Sequence, residues 1–474
     1  MENIAENDFL KKAFDIALEY LKNRNKKSLV RKNLNPYELL DKFNIELDVK
    51  NNNYNDILEI LEKSLDYSLN TSHPLFMNQL YGGSNLIAVL GDIFTSILNT
   101  SVYTYEVAPL MTLIEKECIK KLGYLIGFGN NFDGTFTAGG SISNMSAMLL
   151  AKDKKFPDSK INGLKGTALF SIFVSEQAHY SFLKNSMLLG FGKESIVKIK
   201  SDYLGKIDTK ELEKSIISEK NKNRIPLMIV GTAGTTINGI FDNIEELNEI
   251  AKKNKIWFHV DACYGGSLLF SNLHNNHLKG INNADSVSWN LHKMMGIPLI
   301  CSALIIKEKK LLENTFSINA DYLFHEDSSE YDLGNKSLQC GRRPDAFKLW
   351  LTWQIEGKKG FENRVNKLLQ KAIIFAKKIQ NNNNFILFNY PETPIVCFQF
   401  IYPNLSQEKI NEINKKIRIS IFEEGEIIFN YAEIKNKTIL RCVISNPEIT
   451  EDLIDQIIKT IEKKAHNILI ESYL

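Results

Sequence analysis

The chain has 474 residues, 44% hydrophobic and 24% charged, with a formal net charge of +2. That leaves room for two or three domains of ordinary globular composition, and the lysines and arginines are spread rather than massed, which argues against nucleic-acid and polybasic membrane partners. No apolar run is long enough to span a bilayer. The acidic start Met1-Glu-Asn-Ile-Ala-Glu-Asn-Asp8 lacks the apolar stretch of a signal peptide, and the six cysteines show no metal-type spacing. A cytoplasmic chain with reduced thiols and no metal is expected.

In chain order, residues 7–25 and 55–70 carry apolar positions at helical spacing (Phe9, Ala13, Ile16, Ala17, Tyr20, Leu21). Alone, such a segment has little to pack against, so it is expected to embrace another surface, plausibly a second subunit. From about residue 110 to 310, amphipathic helices such as Ile244–Lys253 alternate with short apolar strands. The expected strands are Gly166–Val174, Ile196–Ile199, Leu227–Thr232, Ile256–Val260, Ser286–Trp289 and Ser302–Ile306. Continuous apolar strands separated by helices predict a mostly parallel sheet covered on both faces.

Small-residue turns follow several of these elements. Thr137-Ala-Gly139-Gly140-Ser141-Ile142-Ser143-Asn144 opens an apolar helix, and bare N–H groups at a helix start can cradle a phosphate. His179, in Ser175-Glu-Gln-Ala-His179, follows a strand and could stack on a planar ring. Gly231-Thr-Ala-Gly234-Thr235-Thr236 makes a second turn. Trp257-Phe-His-Val-Asp261-Ala-Cys-Tyr264-Gly-Gly266 ends an apolar run on a lone carboxylate, and Asp285-Ser-Val-Ser-Trp-Asn290-Leu-His292-Lys293 ends another on a lysine. Taken singly, each has an ordinary explanation: a helix cap for Asp261, a satisfied core histidine for His179, a solvated amine for Lys293. Together they crowd the carboxyl ends of one sheet, where open α/β sheets bind ligands. A lysine for a Schiff base and an acid to keep a pyridine nitrogen protonated is the pair that pyridoxal phosphate needs.

Further on, 324–336 reads as a polar loop, and Pro344 opens a long helical pattern from Asp345 toward Ile379, interrupted at Gly357 and Gly360. The last hundred residues mix strands (Val396–Ile401, Thr438–Ile444) with helices (Ser406–Ser420, Glu451–His466), the pattern of a small α/β domain. The expected organisation is a helical segment 1–70, a large cofactor domain 71–355 and a small domain 356–474.

Asn290-Leu-His292-Lys293, His259-Val-Asp261-Ala, Ser175-Glu-Gln-Ala-His179 and Gln339-Cys-Gly-Arg342-Arg343 resemble the group II pyridoxal-dependent decarboxylases. Within that family the chain is similar to the branch of glutamate, cysteine sulfinate and aspartate decarboxylases, from about His73-Pro74 to Pro447. The resemblance implies the aspartate aminotransferase-like fold (fold type I), pyridoxal 5'-phosphate, and a homodimer with the active site at its interface. It also implies roles: Lys293 forms the Schiff base, Asp261 pairs with the pyridine nitrogen and His179 stacks on the ring. Ser141, Ile142, Asn290 and His292 hold the phosphate, and Thr235 lies near the ring. Arg441, in Leu440-Arg441-Cys-Val-Ile-Ser445, matches the arginine that binds a substrate carboxylate. Gln79, Leu80 and Tyr81 match the segment lining the substrate pocket, and Tyr322 matches a mobile-loop tyrosine that returns a proton to the substrate carbon.

The chain departs from the family at Leu291, where proline is common, and in a shorter loop after Tyr322. An arginine suits an anionic substrate. A phenol at 81, where members acting on glutamate tend to be small, shortens the pocket by about a methylene, worth roughly 1–3 kcal/mol. The expected reaction is α-decarboxylation of a small acidic amino acid, aspartate to β-alanine or cysteine sulfinate to hypotaurine. Glutamate to 4-aminobutanoate is the alternative; another fold-type-I reaction and a non-catalytic paralogue are more remote.

Overall fold

A computed structural model describes residues 6–26, 29–47, 53–164, 169–318 and 330–473. The chain divides into two compact units: Ser84–Ala372 with Asn389–Ile395, and Met1–Gly83 with Ile373–Phe388 and Val396–Leu474.

The larger unit carries seven strands: β1 Asp133–Thr137, β2 Phe170–Ser175, β3 Ile196–Ile199, β4 Ile225–Thr232, β5 Trp257–Asp261, β6 Ser286–Asn290 and β7 Ser302–Ile306. Their order is β1-β7-β6-β5-β4-β2-β3. β7 runs antiparallel to β1 and β6, while the pairs β2–β3, β2–β4, β4–β5 and β5–β6 are parallel. This is the mostly parallel α/β sheet expected from the apolar runs. β2, β5 and β6 are buried at every residue, as strands covered on both faces must be. The helix Gly140–Lys155 contributes Ala147, Leu150 and Ala151 to a buried apolar cluster that also holds Ile172 and Val174 of β2 and Leu227 and Val230 of β4. Each large side chain so buried contributes roughly 1.5–3 kcal/mol. Register then positions chemistry: Thr232 pairs with Asp261 and Asp261 with Ser288, which brings the carboxyl ends of β4, β5 and β6 level.

β1 escapes the sequence pattern because Asp133-Gly-Thr-Phe-Thr137 has one large apolar residue; it is held at the sheet edge by five backbone pairs with β7. The long helix Ala346–Gln380 breaks at Gly357 (φ 60°, ψ −175°), one of the two glycines expected to interrupt it. Gly360 leaves it helical.

The smaller unit holds β8 Phe385–Leu387, β9 Ile395–Phe400, β10 Asn430–Ile434 and β11 Lys437–Val443, in the order β10-β11-β9-β8. The outer pairs are antiparallel. Gln407–Glu424 packs on β11 and on Glu451–Tyr473. β8 and β10 are short or half-buried and leave no apolar run to find. The N-terminal helices Glu6–Asn23 and Tyr54–Tyr67 fall where helical spacing placed them, with the Phe9 and Tyr54 rings stacked 4.6 Å apart. Among the described residues no helix is long and apolar enough to cross a membrane.

Candidate active site

The cavity at the carboxyl ends of β4–β6 has a volume of ≈ 210 Å³ and lies wholly in the larger unit. Five residues marked by the sequence line it: Ser141, His179, Asp261, Asn290 and Lys293.

Asp261 ends β5 and is 6% exposed. Its Oδ1 accepts from the Cys263 N–H at 3.1 Å and its Oδ2 from Asn144 Nδ2 at 3.0 Å. Burial pushes its carboxyl up, but Lys293 and the neighbouring donors and histidines outweigh that and hold it below the usual carboxylate range. An ionised carboxylate buried with an amine across a small cavity can fix a cationic ring nitrogen.

Another wall is the start of the helix Gly140–Lys155, where the Gly140 and Ser141 N–H groups have no helical acceptor while the Ile142 N–H donates to the Gly139 carbonyl at 3.0 Å. A Cβ on Gly140 would meet Cys263 Sγ at 2.5 Å and Asn290 Nδ2 at 2.9 Å, so only glycine lets the backbone come this close. Asn185 Nδ2 holds the Ser141 carbonyl at 2.9 Å. Asn290 is held in turn, its Oδ1 accepting from Ser302 Oγ at 2.7 Å, within a hydroxyl cluster that includes Thr137 and Ser143.

His292 is buried, and its Nδ1 faces both the Cys301 carbonyl at 2.9 Å and the Cys301 N–H at 3.0 Å, which fixes the ring. Burial and the adjacent Lys293 push its pKa down to about 4, which keeps the ring neutral. His179 is half-buried; burial pulls its pKa down against the pull of Asp261. Its Nδ1 accepts from the Ser181 N–H at 3.2 Å, which fixes the ring at the cavity mouth.

Thr235 is turned away from the cavity. Its hydroxyl donates to Asn238 Oδ1 at 2.5 Å and accepts from the Ile240 N–H at 3.1 Å, bracing the turn. Thr232, Gly234 and Thr236 are the residues of that turn that face the cavity. Asn144, Cys263, Tyr264 and Tyr180 also line it. Asn144 could have been noticed, since it lies one helical turn beyond Ser141; the tyrosines carry no sequence signal of this kind.

Gln79, Leu80, Tyr81 and Arg441 belong to the smaller unit. Arg441 lies on β11, is 7% exposed and donates from Nη1 to the Asn78 carbonyl at 3.0 Å. Val443 N–H donates to the Met77 carbonyl at 2.9 Å, laying residues 76–78 alongside the strand. Tyr322 lies outside the described residues.

These donors fit pyridoxal phosphate. The site offers a carboxylate kept ionised, a half-buried amine, a glycine-lined helix start and a cavity of ≈ 210 Å³ that all three line.

A family model described as the pyridoxal-dependent decarboxylase conserved domain matches residues 36–401. Among solved structures, mouse CSAD is 34% identical over 97% of this chain and 98% of its own, with a TM-score of 0.93. The glutamate decarboxylase domain of diaminobutyrate-pyruvate transaminase and L-2,4-diaminobutyrate decarboxylase from Vibrio parahaemolyticus is 25% identical over 97% of this chain and 95% of that one, with a TM-score of 0.86. Oryza sativa TDC, solved with PLP and tryptamine, shares the fold at 21% identity, covering 99% of both chains with a TM-score of 0.90.

Proposed function

The chain belongs to the pyridoxal-dependent decarboxylase family and is a pyridoxal-phosphate carboxy-lyase acting on an amino acid; from that premise we propose that its substrate is a small acidic L-amino acid, aspartate or cysteine sulfinate ahead of glutamate. The observation that carries this reading is the buried Arg441 guanidinium, which donates to the Asn78 carbonyl three residues before Tyr81 in the chain. A buried arginine favours an anionic substrate group, and a phenol takes up length that glutamate needs. The 34% identity with mouse CSAD over almost the whole chain supports cysteine sulfinate in particular.

The residues divide the work as follows. Lys293 is the amine that would hold the cofactor through its carbonyl carbon. Asp261, kept ionised, holds the proton on the ring nitrogen. The Gly140–Ser141–Ile142 helix start, Asn290 and His292 would hold the phosphate. His179 covers a ring face, and Thr235 braces the turn that presents Thr232 and Thr236. When bound, pyridoxal phosphate supplies an electron sink for the pair left behind as CO2 departs. Tyr322 returns a proton to the substrate Cα, which favours amine release over transamination.

The working form is a homodimer with the active site at the interface. Leu10, Phe14 and Leu18 on the helix Glu6–Asn23 are about half exposed at helical spacing, as are Leu86, Leu90 and Phe94 on Leu86–Leu98, which supports a second subunit covering them. Six free cysteines support a cytoplasmic location.

Tyr81→Ser tests the substrate reading. It is expected to raise the ratio of kcat/KM for glutamate over aspartate by roughly tenfold or more. An unchanged ratio removes Tyr81 from the account.

A further inference from the structure

Alternate residues of a strand face the same side, so Trp257, His259 and Asp261 of β5 form one row, with Ser286, Ser288 and Asn290 of β6 beside it. Side-chain hydrogen bonds run along this row. Trp257 Nε1 lies 2.9 Å from Ser286 Oγ, Ser286 Oγ 2.8 Å from His259 Nδ1, His259 Nε2 3.1 Å from Asn144 Oδ1, and Asn144 Nδ2 3.0 Å from Asp261 Oδ2. His259 and Ser286 are fully buried and Asn144 is 1% exposed.

The direction of every bond follows from its two ends. The indole N–H can only donate, and an ionised carboxylate can only accept. The Asn144 amide must therefore turn its NH2 to Asp261 and its oxygen to His259. His259 then donates from Nε2 and accepts at Nδ1, from a Ser286 hydroxyl that itself accepts from the indole. The Ser288 hydroxyl, 3.4 Å from Nε2, and Ser181 Oγ, 3.3 Å from Asn144 Nδ2, sit beside the row without reversing it.

We infer that His259 and Asn144 are positioning residues for Asp261: a head-to-tail chain of donors from Trp257 that ends on the carboxylate, keeping it ionised and aimed at the cofactor's ring nitrogen. Aligned donors polarise one another, and in a water-free interior they stabilise a charge at their acceptor end. The inference rests on the reading that Asp261 pairs with that nitrogen. The titratable groups facing Asp261 are Lys293, His259, His179 and Cys263, and Lys293 is the formal cation among them. Burial pushes the His259 pKa down to about 4, so the ring is neutral and contributes a dipole rather than a charge.

Two measurements test it. In the full-length apoprotein labelled with 15N-histidine, His259 is expected to show the Nε2–H tautomer unchanged from pH 5.5 to 8.5; an Nδ1–H tautomer, or titration near the ordinary pKa of about 6.5, overturns the chain. The second is a cycle on the dissociation constant of pyridoxal phosphate, with the visible absorbance of the bound cofactor read in parallel. His259→Phe is expected to weaken binding roughly tenfold, His259→Gln to restore most of that through its amide donor, and Ser286→Ala to give a smaller loss of the same kind. On an Asp261→Asn background His259→Phe adds nothing further. If Asp261→Asn itself leaves cofactor binding and spectrum unchanged, the reading of Asp261 falls and the inference with it. If Asp261→Asn weakens binding but His259→Phe is additive to it, or Gln is no better than Phe, the relay alone is overturned.

Discussion

Gly140→Ala isolates the close approach on which the phosphate cradle depends. The added methyl lands 2.5 Å from Cys263 Sγ and 2.9 Å from Asn290 Nδ2, both inside contact distance. Neither neighbour is a loose end. Asn290 is 4% exposed and tied to Ser302, and Cys263 is 6% exposed with its backbone N–H on Asp261. The helix start must therefore move, and overpacking of this kind costs about 1–3 kcal/mol, which, felt in the cofactor-bound state, is roughly a 5- to 150-fold loss of affinity. The clash is with protein atoms, so the apoprotein melting temperature should fall as well. Equilibrium dialysis of pyridoxal phosphate reads the affinity directly. Gly140→Ala/Cys263→Ala, which removes the sulfur at 2.5 Å, should recover part of the loss. Wild-type affinity in the single variant, or no recovery in the double, refutes the steric reasoning.

Three further outcomes are expected. His259 and His292 have folded pKa values of about 4 against about 6.5 unfolded, so each contributes stability that is present above pH 6.5 and lost as pH falls toward 4, on the order of 3 kcal/mol per group. Asp242, pushed up to about 6 by burial, runs the other way between about pH 4 and 6 and offsets about one histidine; urea titrations of the apoprotein at pH 7 and 4.5 should show a net loss, smaller in His292→Gln. Arg342 and Glu115 form a buried ion pair, and Glu115 Oε1 also accepts the Phe136 N–H of β1 at 3.1 Å; Arg342→Met should destabilise by about 3–5 kcal/mol, because it leaves a buried carboxylate unpaired, and an unchanged urea midpoint contradicts this. Arg441→Met should raise KM for aspartate and cysteine sulfinate by roughly tenfold or more while the bound-cofactor spectrum persists; an unaltered KM would remove Arg441 from substrate binding.

The parts of the structure that sequence exposes are those governed by two-sided burial and by chain punctuation. β2, β4, β5, β6 and β7 read as apolar runs because both faces are covered, and the break at Gly357 reads from the residue that permits it. Asp261, His179 and Lys293 stand out for the same reason: each is a polar residue just where an apolar strand ends. What stays hidden depends on partners distant in sequence. β1 is a strand because of β7, not because of its own composition. Asn144 stands in the small-residue turn that the sequence exposes, but its contact with His259 spans 115 positions of chain and has no trace in the residue pattern. Thr235 was marked by position, yet local bonds to Asn238 and Ile240 consume its hydroxyl, a competition that no pattern of residue types reveals.

The most direct test of the central claim is kcat/KM for CO2 release, with amine quantified in parallel, from aspartate, cysteine sulfinate and glutamate on the purified holoenzyme. The account predicts equimolar CO2 and amine, with aspartate or cysteine sulfinate preferred over glutamate by roughly tenfold or more. A preference for glutamate, or for an uncharged or aromatic amino acid, would contradict it.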